Sequence, residues 1–235
     1  MKSFTHLMNL LRTLTVIIVY TLGACASINS NNIAPSYFIA FEALKDTIFG
    51  RSDNLITRDL VEKIPYASAK LKIGKGPAGL VILESIENKQ YTWVSADKIF
   101  VVVKNGRIVR TLGLSNNLTS FESPKQTFKE LIEENNPILD YFIYCSYDNP
   151  LLIDLKIQVH LIKKGFQSIT ILGEIKSLIL IEEEISNDYI GWKAKNQYWV
   201  DPKDFFVWKS IQHISPKLPE FIFEVTKKPS IQKDL

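Results

Sequence analysis

Asn105-Gly106 stands between two runs of β-favouring residues, 99–103 (IFVVV) and 107–111 (RIVRT). A tight hairpin connection needs positive φ at both central positions, and Asn-Gly adopts that geometry at little steric cost. The pair therefore commits this part of the chain to an antiparallel hairpin. Other segments read the same way. Residues 80–83 and 91–94 flank a turn at Glu87-Asn88, and further strand-like runs lie at 151–162, 168–172, 178–181, 197–200, 205–208 and 221–225. Helical signals are few. Residues 37–49 carry Phe38, Phe41, Leu44 and Ile48 at helical spacing; Thr57 can N-cap a short helix that Pro65 ends. Ser123-Pro124 opens a third helix with Phe128, Leu131 and Ile132 on one face and Glu130, Glu133 and Glu134 on the other. Many strands and few helices give a mainly β fold, an antiparallel barrel or sandwich with a few short helices. Trp93-Val94 and Phe100-Val101 recur as Trp199-Val200 and Phe206-Val207, 106 residues on, which suggests two related β halves, each with a Trp-bearing hairpin.

The N-terminus reads as a targeting segment. Lys2 and Arg12 are the only charges among the first 24 residues, and an uncharged apolar run follows from Thr13 to Ala24. That run is shorter than the roughly 20 residues a helix needs to cross a bilayer. Leu22-Gly23-Ala24-Cys25 resembles the lipobox of bacterial lipoproteins, which implies cleavage between Ala24 and Cys25 and acylation of Cys25. Ala26 and Ser27 follow; by the lipoprotein sorting rule, the absence of an aspartate there implies the outer membrane, facing the periplasm. The organisation is then a signal peptide over 1–24, a small polar tether over 25–35, and a β-rich domain over 36–235.

Cleavage leaves 235 − 24 = 211 residues, enough for one domain with its own core. The precursor charge of +3 falls to 3 − 2 = +1 once Lys2 and Arg12 leave, and no dense basic block is present, so nucleic acid is not an expected partner. With Cys25 acylated, Cys145 has no intramolecular partner; its setting, YFIYC, reads as a buried thiol.

Motifs that carry chemistry mostly fail on context. Residues 74–79 match G-x-G-x-x-G, but a strand rather than a helix follows and Pro77 removes a donor, so they read as a glycine-rich connection between strands. His160 and His213 have no second ligand at metal spacing, and no cofactor or metal is expected. Glu182-Glu183-Glu184 with Asp188 is the one acidic constellation that hints at glycoside hydrolysis; a solvated loop explains it better. No catalytic residue is assigned. The candidate contacts for a glycan or partner are the aromatic rings of Trp93, Trp199 and Trp208, which either stack on sugars or pack in the core, and Arg107 and Arg110 beside the hairpin, which suit anionic groups.

Several segments together are similar to the YjbF/GfcB family of capsule and exopolysaccharide lipoproteins. They are 64–68 (IPYAS), Trp93, 105–114 (NGRIVRTLGL), 196–201 (NQYWVD) and 207–212 (VWKSIQ). The departure is Asp204-Phe205, where the family pattern has a glycine-containing turn. The resemblance implies a β-rich outer-membrane lipoprotein that serves capsular or exopolysaccharide secretion or assembly, without catalysis, and binds glycan or an export protein. A periplasmic glycan-modifying hydrolase and a structural envelope lipoprotein without glycan contact are the competing expectations.

Overall fold

A computed structural model describes residues 56–230, apart from 125–126 and 134–137. The signal peptide, Ala24, Cys25, the tether and the helix expected at 37–49 lie outside the described residues. The described chain opens with helix α1 (Arg58–Lys63). Thr57 caps it, with its Oγ1 accepting from the Leu60 N–H at 3.3 Å, and the helix stops before Pro65. Five strands follow: β1 (Ser68–Ile73), β2 (Gly79–Glu87), β3 (Gln90–Ser95), β4 (Phe100–Lys104) and β5 (Arg107–Leu112). After β6 (Leu118–Glu122) comes helix α2 (Thr127–Glu133). The chain closes with β7 (Ile138–Tyr147), β8 (Leu152–Ile171), β9 (Glu174–Asn187), β10 (Trp192–Val200), β11 (Val207–Gln212) and β12 (Phe221–Lys227).

These strands form one 12-stranded sheet in the order β5-β4-β3-β2-β1-β12-β11-β10-β9-β8-β7-β6. Every recorded pairing is antiparallel. Written around the molecule, this is a simple up-and-down meander. The last strand, β12, returns to pair with the first, β1, with Leu71 opposite Phe223. The ends of the order, β5 and β6, meet along a seam, so the barrel is nearly closed.

The period-2 pattern explains why the sheet curls. On β7, Ile143, Cys145 and Tyr147 are buried while Phe142 and Tyr144 face out. Side chains from all around the barrel fill one core: Ala69, Val81, Trp93 and Val101 meet Tyr147, Ile157, Val159 and Phe221. Trp93 packs edge-on against Phe223, ring centroids 5.4 Å apart. At one end α2 turns Phe128 and Leu131 onto Leu161, Ile181 and Tyr198, which caps the barrel interior.

The structure bears out the mainly antiparallel β reading and both turn regions, with Asn88, Lys89, Asn105 and Gly106 all at positive φ. Three details differ. The runs at 151–162 and 168–172 are one strand, β8, which crosses Gly165 on a bulge rather than stopping there. Glu182–Glu184 is not a loop but the middle of β9, held in register against β8 and β10 by the apolar residues on either side. The repeated Trp positions are not equivalent: Trp93 pairs with Val101, whereas Val207 pairs with Val200 and Trp199 pairs with Lys209 across a bulge.

Candidate functional site

The β4–β5 hairpin points its Asn105-Gly106 turn at the far wall of the barrel. A Cβ built on Gly106, at φ +79°, would sit 2.1 Å from Val207 Cγ2, so only glycine lets the turn approach β11 this closely. Gln212 on β11 then clasps the turn. Its Nε2 donates to the Gly106 carbonyl at 3.0 Å, and its Oε1 accepts from the Ile108 N–H at 2.9 Å. Strands on opposite sides of the barrel are therefore bonded through its interior.

Arg107 follows the turn and enters the same interior. Its Nη2 and Nε donate to Glu183 Oε1 at 2.6 and 3.1 Å, and Nη2 also donates to Tyr141 Oη at 2.7 Å. The guanidinium lies 4.0 Å from the Phe128 ring centroid, a cation–π contact supplied by α2. Glu183 Oε2 accepts from Asn196 Nδ2 and from Tyr198 Oη, each at 2.9 Å. Burial works against both charges. For Glu183 the burial effect is overcome by the Arg107 charge and the bonds from Asn196, Arg107 and Tyr198, which hold the carboxyl below its ordinary range. Arg107 is likewise held more firmly protonated than an exposed arginine, because the Glu183 charge outweighs desolvation. Burial pushes the Cys145 thiol up to about 12, which makes it a poor nucleophile.

These contacts reassign most of the sequence candidates. Arg107 is 5% exposed and spent on Glu183, so it has no free donor face for an anionic sugar. Trp93 is 2% exposed and fills the barrel core; its ring has no open face. Trp199 is 7% exposed and donates its indole N–H to Gln167 Oε1 at 2.6 Å, under the long β8 strand. Trp208 is half-buried, edge-on to Phe206 at 5.2 Å, with Lys176 Nζ 4.0 Å over its ring. Arg110 alone of the five is exposed on a cleft. The acidic run is also committed to the fold. Glu182 pairs with Lys164 and Lys195, both at 3.3 Å; Glu184 pairs with Lys195 at 3.2 Å; Glu183 faces inward. Strand alternation, which turns Glu183 away from its two neighbours, is what separates these acids.

The cleft lies at the seam. Near the β5–β6 connection the two strands are tied, with Leu118 N–H donating to Thr111 Oγ1 at 2.9 Å and Asn117 bonded to Asp148. Towards the other end they border a cleft of about 910 Å³. One wall comes from the β2–β3 and β4–β5 turns and β5, through Lys89, Gln90, Lys104, Asn105 and Arg110. The other comes from β6 and α2, through Ser120, Phe121, Glu122, Glu130 and Glu133. The sequence marked Arg110 but not its neighbours in the cleft. β6 is a short edge strand without an alternating apolar pattern, and nothing local shows that it faces β5.

The geometry defines a class: an up-and-down antiparallel β-barrel with a filled interior, a buried polar lock and a lateral cleft where the ring is left open. The chain belongs to the YjbF family, described as Group 4 capsule polysaccharide lipoprotein gfcB, YjbF, whose family model matches residues 41–225. It is 27% identical over 173 residues to the uncharacterised lipoprotein YjbF of Escherichia coli (strain K12), covering 68% of this chain and 74% of that one. It is 24% identical over 164 residues to the uncharacterised lipoprotein GfcB of the same organism, covering 68% and 75%. The crystal structure of the hypothetical lipoprotein YmcC from Escherichia coli (K12) shares the fold, with a TM-score of 0.67, 22% identity, and coverage of 83% of this chain and 96% of that one. Membership makes this a capsule-related lipoprotein, and the structure joins the family-like Arg107, Asn196, Tyr198 and Gln212, with the Gly106 carbonyl, in a single buried network while Asn105 stays exposed in the turn.

Proposed function

We propose that this protein is an outer-membrane lipoprotein, acylated at Cys25, that acts without catalysis in capsular or exopolysaccharide secretion or assembly and holds the glycan in the seam cleft. The observation that carries the reading is the cleft itself: a large opening lined with hydroxyl, amide, cationic and carboxylate groups, in a chain of a capsule-polysaccharide family. The hydrolase alternative is weakened because Glu182, Glu183 and Glu184 are each occupied by cations and point to different sides of β9. Trp93 and Trp199 are buried, and Trp208 is covered by Phe206 and Lys176, so the cleft rather than the Trp-bearing hairpins carries the binding proposed. Export proteins remain natural neighbours for a lipoprotein acting on polymer as it leaves the cell.

The test is genetic and quantitative. Deleting the gene lowers the amount or chain length of surface polysaccharide, and a copy carrying Lys104→Glu with Arg110→Glu, expressed at the parent level, fails to restore it. Unchanged polysaccharide in the deletion strain would remove the capsule role. Cys25→Ser in the same strain abolishes labelling by radioactive palmitate and removes the protein from the outer-membrane fraction; continued labelling would remove the anchoring assignment.

A further inference from the structure

We propose that the seam cleft is built for an acidic polysaccharide, with the polymer's carboxylate or phosphate groups against the β4–β5 wall and its hydroxyls against the β6–α2 wall. This deepens the glycan reading above and rests on it. Arg107 is neutralised by Glu183, and Lys129 pairs with Glu133. The side chains of Lys89, Lys104 and Arg110 are exposed and make no ion pair or hydrogen bond among the described residues.

All three cations line the β2–β5 wall of the cleft, and Arg110 pairs with Val102, two residues before Lys104. Gln90 pairs with Lys104 and Lys104 with Arg107, so Lys104 stands on the middle strand of three, about 4.8 Å from its neighbours. Lys89 precedes Gln90 in the β2–β3 turn and Arg110 lies further along β5. Lys104 and Arg110 are diagonal neighbours on adjacent strands, so their charges add to one positive field on this wall, which an anionic ligand neutralises. The facing wall has the opposite character. Glu122 and Glu130 accept hydrogen bonds from hydroxyl groups but repel anions. A ligand anionic all along its length, such as a nucleic acid, meets that acidic wall. A neutral glycan leaves the three cations without a partner. A chain with acid groups and hydroxyls on its different sides satisfies both walls, and the cleft's volume accommodates more than one sugar ring.

The experiment uses the full chain in detergent, titrated by calorimetry with oligogalacturonate as the acidic probe and maltoheptaose as the neutral one. The expected result is binding of oligogalacturonate at least tenfold tighter than maltoheptaose, weakening several-fold as salt is raised. Lys104→Glu with Arg110→Glu, and separately Arg110→Gln, lose at least fivefold in affinity while keeping the parent's melting midpoint, as substitutions of exposed side chains do. Equal binding of the two probes, or acidic binding that survives charge reversal in folded protein, overturns the acidic-ligand inference while leaving the glycan reading intact. Binding of neither probe overturns both.

Discussion

Replacing Arg107 with methionine removes the cation that offsets Glu183 inside the barrel. The parent pair is nearly dry, with the two side chains 7% and 3% exposed. Breaking such a pair from one side costs about 3–5 kcal/mol, chiefly because the remaining charge is left buried. Tyr141, Asn196 and Tyr198 still donate to the Glu183 carboxylate, which favours the lower end, about 3 kcal/mol. With a urea slope of about 2 kcal/mol per molar, the midpoint falls by roughly 1.5 M. The effect carries a pH signature. In the parent, Glu183 is held below its ordinary range, so its contribution is present above the unfolded carboxylate value of about 4.3 and is lost as pH falls through the folded value. In Arg107→Met, burial without the cation raises the folded carboxyl above the unfolded one. The folded state then takes up a proton first, and the deficit measured at pH 7 shrinks at pH 5. Adding Glu183→Gln removes the stranded charge and its pH dependence while keeping an amide oxygen for the Asn196 and tyrosine donors, and recovers part of the loss. Urea unfolding followed by tryptophan fluorescence, at both pH values, measures all three variants. A loss below about 0.5 kcal/mol, or one that is the same at pH 7 and pH 5, would refute the account of the pair as an offset buried charge.

Other predictions follow from the same geometry. Gly106→Ala forces a side chain into a positive-φ position and against Val207; backbone strain of about 1–2 kcal/mol and overpacking of about 1–3 kcal/mol add, read as a lowered melting midpoint. Gln212→Leu leaves the Ile108 N–H and the Gly106 carbonyl without their partner and costs about 2 kcal/mol in chemical denaturation. Trp93→Ala opens a cavity among Phe223 and its neighbours and costs about 3–5 kcal/mol, whereas Arg110→Ala at the cleft changes stability by less than about 0.5 kcal/mol. Cys145 stays unreactive to a thiol reagent at pH 8 until the barrel unfolds, and rapid labelling of the native protein would contradict its placement.

The legible part of the fold was the part carried by local chemistry. Asn105-Gly106 fixed a turn because only a few residue pairs accept its backbone angles, and Thr57 and Pro65 bounded a helix through capping and a missing donor. Three strands escaped notice. β1 does alternate Ala69, Leu71 and Ile73 with Lys70 and Lys72, a one-sided pattern that was readable but spans only six residues; β6 is five residues long, and β7 places aromatic side chains on both faces, so neither of those two shows a clean pattern. The site was legible only as a set of motifs. A sequence shows that Arg107, Glu183, Asn196 and Gln212 exist. It does not show that a curled sheet brings residues 76 and 104 positions apart into one buried network, since that depends on strand order rather than on local spacing. For the same reason Arg107 and Arg110, three residues apart, looked alike as candidates; one points into the barrel and the other opens on the cleft.

The central claim is a division of labour: the family-like residues lock the barrel, and the ligand meets the protein at the seam. Backbone chemical-shift mapping of the isotope-labelled full chain in detergent, titrated with the acidic oligosaccharide, tests it most directly. The account predicts shifts concentrated at Lys89, Lys104, Arg110 and Ser120, with Trp93, Trp199 and Gln212 unmoved. Shifts centred on the Trp199 and Trp208 wall, or none anywhere, would contradict it.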